Sequence, residues 1–215
     1  HVGELGDVTR ADGHAQVAPM LDEALAFLGD RLERARSLGE LSTYRVGGAA
    51  ARLVEVADAD ELARIAEAVA RLAPVPPVLV VGKGSNLLVA EAGFDGLALQ
   101  LGPAFADDGV LDDDPSIYRS GGAASLPVVA RRSVAAGRTG FEWAVGVPGS
   151  VGGAVRMNAG GHGSDMAAVV ERVRVVDLAT GEDVQMVAAE LDFGYRHSAI
   201  AGHQVVTDVH LRLAP

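Results

Sequence analysis

The amino-acid sequence predicts an α+β protein in two lobes, a strand–helix–strand lobe first and a more β-rich lobe second. Three observations support this prediction. Apolar residues recur at three- and four-residue spacing in the first third of the chain, as in amphipathic helices. A short apolar run, Val78–Val81, lies between prolines and a glycine, which is typical of a buried strand. The last part of the chain alternates apolar and polar residues, the pattern of a half-buried strand.

Two helices are predicted in the first third. The first covers residues 17–38 and stops at Gly39. Its apolar positions are Met20, Leu21, Ala24, Leu25, Leu28 and Leu32. The second helix is capped by Asp58 or Asp60. Its apolar stripe is Leu62, Ile65, Ala66, Val69 and Leu72. We therefore expect residues 1–40 to form a helical extension in front of the first lobe.

The middle of the chain adds one more strand, an acidic segment and a third helix. The strand is predicted over Leu97–Leu101, after a glycine turn. Five aspartates between Asp107 and Asp114 indicate a solvated surface turn, because their spacing is not that of a calcium-binding EF-hand loop. The helix is predicted over Pro127–Ala136, and a glycine-dense stretch follows at Thr139–Gly163.

The C-terminal part is predicted to be β-structure. The runs Val173–Leu178 and Val184–Val187 flank Thr180-Gly181-Glu182, which is a hairpin signal. From Val205 to Leu213, apolar residues alternate with polar ones, so this segment is predicted as a strand with one buried face.

Composition excludes several functions. The chain has 215 residues with 29 acidic and 18 basic side chains, a net charge of −11, which disfavours sequence-independent nucleic-acid binding. No apolar run is long enough to span a membrane, and no signal peptide is visible, so we expect a cytoplasmic protein. The absence of cysteine excludes disulfides, thiolate metal sites and a cysteine nucleophile. A first residue that is not methionine favours a segment of a longer product.

Glycine is enriched, at 27 residues against roughly 15 expected from average usage, and it is concentrated in clusters. The first cluster, Gly82–Leu88, follows the predicted strand directly. Glycine allows positive φ and close approach of an anion to backbone N–H groups, so the cluster is either a phosphate nest or a tight structural turn. The glycine order matches neither a Walker A loop nor a Rossmann fingerprint. The only lysine of the chain, Lys83, lies inside this cluster.

Two further clusters, Gly140–Gly153 and Met157–Gly163, are long for simple connections and therefore favour a functional loop over a bland one. Farther on, Tyr195 and Arg196 place a hydroxyl beside a fixed positive charge, a pair that can stabilise a carboxylate or enolate. An isolated surface arginine is the alternative interpretation.

Neither His162 nor His197 has the spacing of zinc ligands, so we expect no metal site.

Taken together, these motifs make the chain resemble the UDP-N-acetylenolpyruvoylglucosamine reductase (MurB) family, over about Leu41 to Leu213. Seven stretches occur in the family's order. They are Leu41–Gly48, Gly82–Val89, Gly121–Ala123, Gly140–Trp143, Gly146–Ala154, Met157–Gly160 and Phe193–Ser198. The resemblance implies a two-lobed FAD-binding fold of the vanillyl-alcohol-oxidase (PCMH) type. Lobe 1 would cover residues 41–103 and lobe 2 residues 104–215.

The resemblance also implies an FAD site between the lobes. The implied cofactor-binding residues are Tyr44, Arg45, Val46, Gly47, Gly82, Lys83, Gly84, Ser85, Asn86, Leu87, Gly122, Ala123, Gly146, Pro148, Gly149, Ser150, Gly152, Gly153, Asn158, Gly160 and Gly163. A large flat ring and two phosphates suit N–H-rich turns and flat glycine backbone. Family members do not require lysine at position 83, so a phosphate contact by Lys83 and a solvated side chain both stay open.

Members of the family pass a hydride from NADPH through FAD to the enolpyruvyl double bond of a UDP-sugar. By resemblance, Tyr195 and Arg196 bind the substrate, and Arg196 is the catalytic residue that stabilises the enolate. The family's general-acid serine and its glutamate partner come from a third domain that has no counterpart in these residues. We therefore expect the FAD-binding part of a cell-wall reductase, with a non-catalytic flavin module or a differently specific FAD enzyme as alternatives. The sequence does not indicate an oligomeric state.

Overall fold

A computed structural model of the chain describes residues 14–215. Residues 1–13, the start of the predicted N-terminal extension, lie outside the described residues. Within the described part, no helix is long and apolar enough to cross a membrane.

The first lobe is a four-stranded mixed sheet with helices packed on it. Its elements are α1 (His14–Ala24), β1 (Glu33–Ser37), β2 (Ala49–Val56), α2 (Ala59–Ala70), β3 (Val78–Val80) and β4 (Phe94–Leu101). The strand order is β1-β2-β4-β3, with β1 antiparallel to β2 and both β2 and β3 parallel to β4. A core of fully buried apolar side chains fills the space between α1, α2 and the sheet.

The prediction of a helix over residues 17–38 is wrong beyond Ala24. The chain turns through a 3-10 segment in which Gly29 has a φ of 56°, and β1 then begins at Glu33. Leu25, Leu28 and Leu32 are nevertheless buried in the core of the first lobe. Their spacing therefore reflects burial rather than a continuous helix, and β1 makes residues 33–37 part of the first sheet instead of a helical extension.

The second predicted helix is confirmed as α2. Asp58 is its N-cap: the side chain accepts a hydrogen bond from the Glu61 backbone N–H at 2.9 Å. The predicted stripe is buried except for Leu72, which follows the helix and is half-buried.

The strand predicted over Val78–Val81 exists, but it is not fully buried. β3 is the edge strand of its sheet, and its residues are half-buried. Leu79 and Val80 of β3 line a cavity together with residues of the second lobe, and the glycine cluster that follows β3 lines the same cavity. The predicted strand Leu97–Leu101 is the second half of β4.

The second lobe is built on a five-stranded antiparallel sheet. Its elements are β5 (Asp108–Val110), β6 (Ile117–Gly121), α3 (Leu126–Ala135), α4 (Val151–Arg156), the short pair β7 (Gly160–Gly161) and β8 (Ser164–Asp165), β9 (Val170–Asp177), β10 (Asp183–Val187) and β11 (Gln204–Arg212). The strand order is β10-β9-β11-β6-β5. The predicted third helix, hairpin and alternating strand are confirmed as α3, β9–β10 and β11.

The acidic segment is not entirely a solvated turn. It contains β5, and the Asp108 side chain is 2% exposed. Asp108 accepts hydrogen bonds from the Tyr118 hydroxyl at 2.5 Å and from the Arg132 guanidinium at 2.6 Å. Burial beside this carboxylate raises the pKa of Tyr118 well above its ordinary value.

The two lobes share part of one core. Val176, Leu178 and Val205 of the second lobe are buried in the same apolar cluster as the inner faces of α1 and α2. This contact fixes the distance between the lobes, so the cleft between them has defined walls.

Candidate functional site

A large opening lies between the lobes. It consists of a cavity of about 730 Å³ and an adjoining one of about 180 Å³. Both cavities are lined by Val80, Val81, Gly82, Lys83, Ser150, Gly153 and Arg156. Together they form one cleft, with the glycine cluster of the first lobe on one wall and α4 on the other.

The wall from the first lobe is the turn Gly82–Asn86, which follows β3. Within residues 14–215, the backbone N–H groups of this turn have no acceptor with hydrogen-bond geometry. Gly84 has a φ of 69°, and a Cβ there would lie 1.8 Å from the carbonyl oxygen of Leu41. The turn therefore depends on glycine for its shape, and it presents several donors to the cleft.

The wall from the second lobe is the start of α4, and its N–H groups are already bonded. Val151 N–H donates to the Ala124 carbonyl and Gly152 N–H donates to the Gly122 carbonyl, both at 2.9 Å. Gly153 N–H donates to the side chain of Ser150, the N-cap. Most of the donors that this glycine-rich segment was expected to offer are thus used inside the protein.

The two walls contact each other directly. The Ser85 hydroxyl donates to the Pro148 carbonyl at 3.1 Å. A Cβ on Gly82 would lie 2.4 Å from the Ser150 Oγ, and one on Gly149 would lie 3.1 Å from the Ser85 Oγ. Glycine at these positions lets the two turns approach each other this closely.

The rim of the larger cavity carries the turn Gly194–His197. Its ends are joined by two backbone hydrogen bonds, Gly194 N–H to His197 carbonyl at 3.0 Å and the reverse at 3.2 Å. Tyr195 and Arg196 occupy the tip, and Arg196 has a φ of 52°. Tyr195 is 91% exposed, and the Arg196 guanidinium carbon lies 5.9 Å from the centre of its ring.

The structure brings most of the predicted site residues together. Seventeen line one or both cavities: Gly82, Lys83, Gly84, Ser85, Asn86, Leu87, Gly122, Ala123, Pro148, Gly149, Ser150, Gly152, Gly153, Asn158, Gly160, Tyr195 and Arg196. Six do not line them: Tyr44, Arg45, Val46, Gly47, Gly146 and Gly163. The segment 44–47 directly follows Thr43, whose N–H donates to the Gly84 carbonyl of the first wall.

Sequence reasoning missed several polar residues of the cleft. Arg156 lines both cavities, at the C-terminal end of α4. Glu55, Gln100 and Gln204 line the smaller cavity and come from strands of both sheets. The position of Arg156 between two recognised motifs could have identified it. No local sequence pattern indicates Glu55, Gln100 or Gln204, because strand pairing brings them to the cavity.

The two-lobed architecture defines a class of protein. Two α+β lobes around a cleft with free N–H donors and glycine walls are the FAD-binding fold of the vanillyl-alcohol-oxidase (PCMH) type. Residues 50–186 match the FAD binding domain family, and the chain belongs to that family.

Similar proteins indicate a narrower family. The chain is 38% identical over 202 residues to UDP-N-acetylenolpyruvoylglucosamine reductase 2 of Symbiobacterium thermophilum, covering 93% of this chain and 64% of the relative. It is 40% identical to the reductase of a Caulobacter species, covering 76% of this chain and 52% of the relative. The chain thus spans between half and two thirds of the length of these relatives, and the resemblance to the reductase family is confirmed.

A solved structure agrees. The crystal structure of the reductase MurB from Thermus caldophilus matches with a TM-score of 0.71 and 33% sequence identity, over 86% of this chain and 62% of that chain.

The residues present fit FAD. The larger cavity is within the range of about 300–1,000 Å³ typical of ligand pockets. The free N–H groups of Gly82–Asn86 suit a diphosphate, since backbone donors in such turns bind anions. Cationic side chains at Lys83, Arg156 and Arg196 also line the larger cavity, in a chain whose net charge is −11.

Proposed function

We propose that this chain holds FAD in the cleft between its lobes and forms the FAD-binding part of an NADPH-dependent reductase. The substrate class would be a UDP-sugar with an enolpyruvyl ether, UDP-N-acetylglucosamine enolpyruvate, reduced to UDP-N-acetylmuramate for peptidoglycan. The observation that supports this most is the turn Gly82–Asn86, whose N–H groups have no acceptor in the described part of the chain and which lines the same cavity as Arg196.

The first wall would hold the diphosphate. Several N–H groups on one turn can each donate to a phosphate oxygen, and a hydrogen bond to a charged acceptor contributes about 1.5–3 kcal/mol. Ser85 is already tied to the second lobe through the Pro148 carbonyl. The diphosphate would therefore be bound where the two lobes meet, and its binding would hold the lobes together.

Lys83 and Arg156 would add positive charge near this anion, since both line both cavities. Lys83 is exposed and has no ion-pair partner among the described residues. Its ammonium is therefore free to turn toward a phosphate.

FAD, when bound, supplies the transfer of two electrons that the reduction of a carbon–carbon double bond requires. The chain's own contribution at the rim would be Arg196. Its guanidinium is permanently charged, so it can hold the substrate carboxylate and stabilise the negative charge that develops on that group as the double bond is reduced. Tyr195 would flank the same carboxylate with its hydroxyl.

Flavin binding is the first test. Purified chain is titrated with FAD, and the shift of the flavin absorption bands and the change in flavin fluorescence give a Kd. We expect saturable one-to-one binding. A chain that stays colourless after purification and also fails to take up added FAD would contradict the proposal.

Turnover is tested by NADPH oxidation with and without the enolpyruvyl UDP-sugar, in the complete reading frame that contains these residues. Arg196→Ala is expected to keep its FAD and to lose at least about 100-fold in kcat, the effect of removing a group that stabilises transition-state charge. Arg71→Ala is the matched control, because Arg71 is exposed and, among residues 14–215, forms an ion pair only with Glu67 on the surface of the first lobe. Unchanged turnover in Arg196→Ala would refute the assigned role.

A further inference from the structure

The side chain of Asn158 forms a hydrogen bond to the rim turn Gly194–His197. Asn158 is 8% exposed, lies just after α4 and lines the larger cavity. Its amide nitrogen donates to the Gly194 carbonyl at 3.0 Å and to an Asp165 carboxylate oxygen at 3.2 Å. Its amide oxygen accepts from the Ala167 N–H at 3.0 Å.

These three bonds occupy the amide. A side-chain amide has two N–H donors, and both point to protein acceptors. The partners also determine which way the amide faces, because a carbonyl and a carboxylate need the nitrogen and an N–H needs the oxygen. No donor of Asn158 is left for a ligand in the cleft.

The Gly194 carbonyl is also the acceptor that closes the rim turn, since it receives the His197 N–H. Asn158 therefore binds the turn at its closing hydrogen bond. The tip residue Arg196 has a φ of 52°, a conformation that non-glycine residues adopt only when their surroundings hold them there. A second anchor lies farther along the loop, where the Ser198 hydroxyl donates to the Arg156 carbonyl at 2.9 Å.

We propose that Asn158 is a positioning residue: it fixes the turn that carries Arg196 and acts on the reaction through Arg196 rather than by contact with the cofactor. This inference rests on the proposed function for its catalytic consequence. Stabilisation of a developing charge depends on the donor's being held in place beforehand. A looser turn would spread the guanidinium over many positions and lower kcat.

Two substitutions remove the amide nitrogen in different ways. Asn158→Asp keeps the size of the side chain, and aspartate tolerates the residue's φ of 41°, but it sets a carboxylate oxygen against two acceptors. Asn158→Gly deletes the side chain in a conformation that glycine adopts freely. If both variants give the same result, the effect comes from the lost hydrogen bonds, because strain and added charge are not common to the two. Gln185→Glu is the control for added charge, on the exposed strand β10.

Hydrogen exchange of the FAD-loaded chain is the main readout. We expect the Gly194 and His197 amides to exchange about tenfold faster in both Asn158 variants, as for loss of one hydrogen bond, with the Kd for FAD within threefold of the parent. Gln185→Glu should match the parent. Turn exchange within twofold of the parent in both variants would overturn the proposal, and so would a tenfold loss of FAD affinity with unchanged turn exchange, which would make Asn158 a cofactor ligand.

Turnover in the complete reading frame gives the second readout. If Asn158 acts through Arg196, Asn158→Asp lowers kcat in the parent but adds no further loss to Arg196→Ala. Independent, multiplicative losses would overturn the proposal. A parent protein that binds FAD but never oxidises NADPH with the UDP-sugar would refute the proposed function instead, and the exchange experiment would still decide the role of Asn158.

Discussion

The two walls of the cleft are both rich in glycine, yet the glycines have different consequences. On the first wall, Gly82–Asn86 leaves its N–H groups without acceptors in the described part of the chain. On the second wall, Val151, Gly152 and Gly153 donate theirs to protein acceptors. The first wall leaves all the N–H groups of its turn free for a ligand, whereas the second wall uses its first three helical N–H groups to hold α4 in place. On the second wall, the N–H groups of Gly149 and Ser150, just before α4, are without an acceptor among residues 14–215.

The space around each glycine explains the difference. Gly122 is packed on the backbone, since a Cβ there would lie 2.0 Å from the Val206 carbonyl oxygen. Gly152 in turn packs on Gly122, whose carbonyl would be 3.1 Å from an added Cβ. Glycine on the second wall therefore permits close packing of backbones. A glycine-rich segment is thus not by itself an anion site; the fate of its N–H groups decides that.

The largest effect is expected at Gly84. Gly84→Ala would place a Cβ 1.8 Å from the Leu41 carbonyl oxygen, in a residue whose φ of 69° already disfavours a side chain. The turn must change shape, so its donors lose their common direction. We expect FAD affinity to fall by at least about 100-fold, as for loss of two bonds to a charged acceptor. Fluorescence titration with FAD measures this.

The control for Gly84→Ala is Gly109→Ala. Gly109 has open space around it and no positive φ, so a Cβ is accommodated there. We expect its Kd for FAD to stay within twofold of the parent. If Gly84→Ala also binds FAD normally, the first wall is not the anion site, and the comparison between the walls fails.

At Gly122 the expected effect is on stability rather than on affinity. The strand pairing of β6 and β11 leaves no room for a Cβ beside the Val206 carbonyl. We expect Gly122→Ala to lower the free energy of unfolding by about 3 kcal/mol, the upper end for overpacking. Urea unfolding measures this, with Gly202→Ala, which has open space around it, as the control. A loss of FAD affinity as large as that of Gly84→Ala, with stability unchanged, would show that both walls bind the ligand directly.

Much of the fold was predictable because local signals and burial agreed. Asp58 followed by an apolar stripe gave α2, and the alternation at Val205–Leu213 gave β11. Apolar spacing gave a wrong prediction where buried residues occur at helical intervals but the backbone is not helical. Leu25, Leu28 and Leu32 are buried at helical spacing, but Gly29 turns the chain between them.

The site was predictable in part for the same reason. Motif order located the glycine turns and Tyr195–Arg196, because those residues are contiguous in sequence. Hydrogen bonds between distant segments, such as the one from Gly152 N–H to the Gly122 carbonyl, decide which N–H groups are free. No local sequence pattern predicts these bonds. The anchor provided by Asn158 likewise depends on a residue 36 positions away in sequence.

As pH falls, the first lobe is expected to lose stability at a higher pH than the second lobe. The N-terminal part of the first lobe is held by two ion pairs, Asp22 with Arg52 at 2.6 Å and Glu61 with Arg31 at 3.0 Å. Hydrogen bonds from these guanidinium groups hold the pKa of both carboxyls below their ordinary values of 3.8 and 4.5. The stabilisation they provide is therefore present above about pH 4.5 and is lost as pH falls through the lowered pKa values. The bonds at the start of α4 join backbone groups to one another or to the Ser150 hydroxyl, and none of these groups titrates between pH 3 and pH 6.

Hydrogen exchange between pH 6 and pH 3 tests this. Exchange in residues 17–32, compared with intrinsic rates, should accelerate at a higher pH than exchange in β11. Combining Asp22→Asn with Glu61→Gln should remove most of that difference, since neither pair then titrates. Simultaneous loosening of both lobes in the parent protein would contradict the assignment.

The smallest effect is expected at Lys83. A substitution there distinguishes the contribution of the backbone N–H groups to FAD affinity from that of the side-chain charge on the first wall. Lys83 lines both cavities but is exposed, so solvent and salt screen its ammonium. Lys83→Met keeps the length of the side chain and should weaken FAD binding by about threefold or less, in the range of exposed charge pairs. The difference should vanish at high ionic strength, whereas the effect of Gly84→Ala should persist. A loss of 100-fold or more in Lys83→Met would place most of the anion affinity in the lysine side chain and remove the reason for treating the two walls as different.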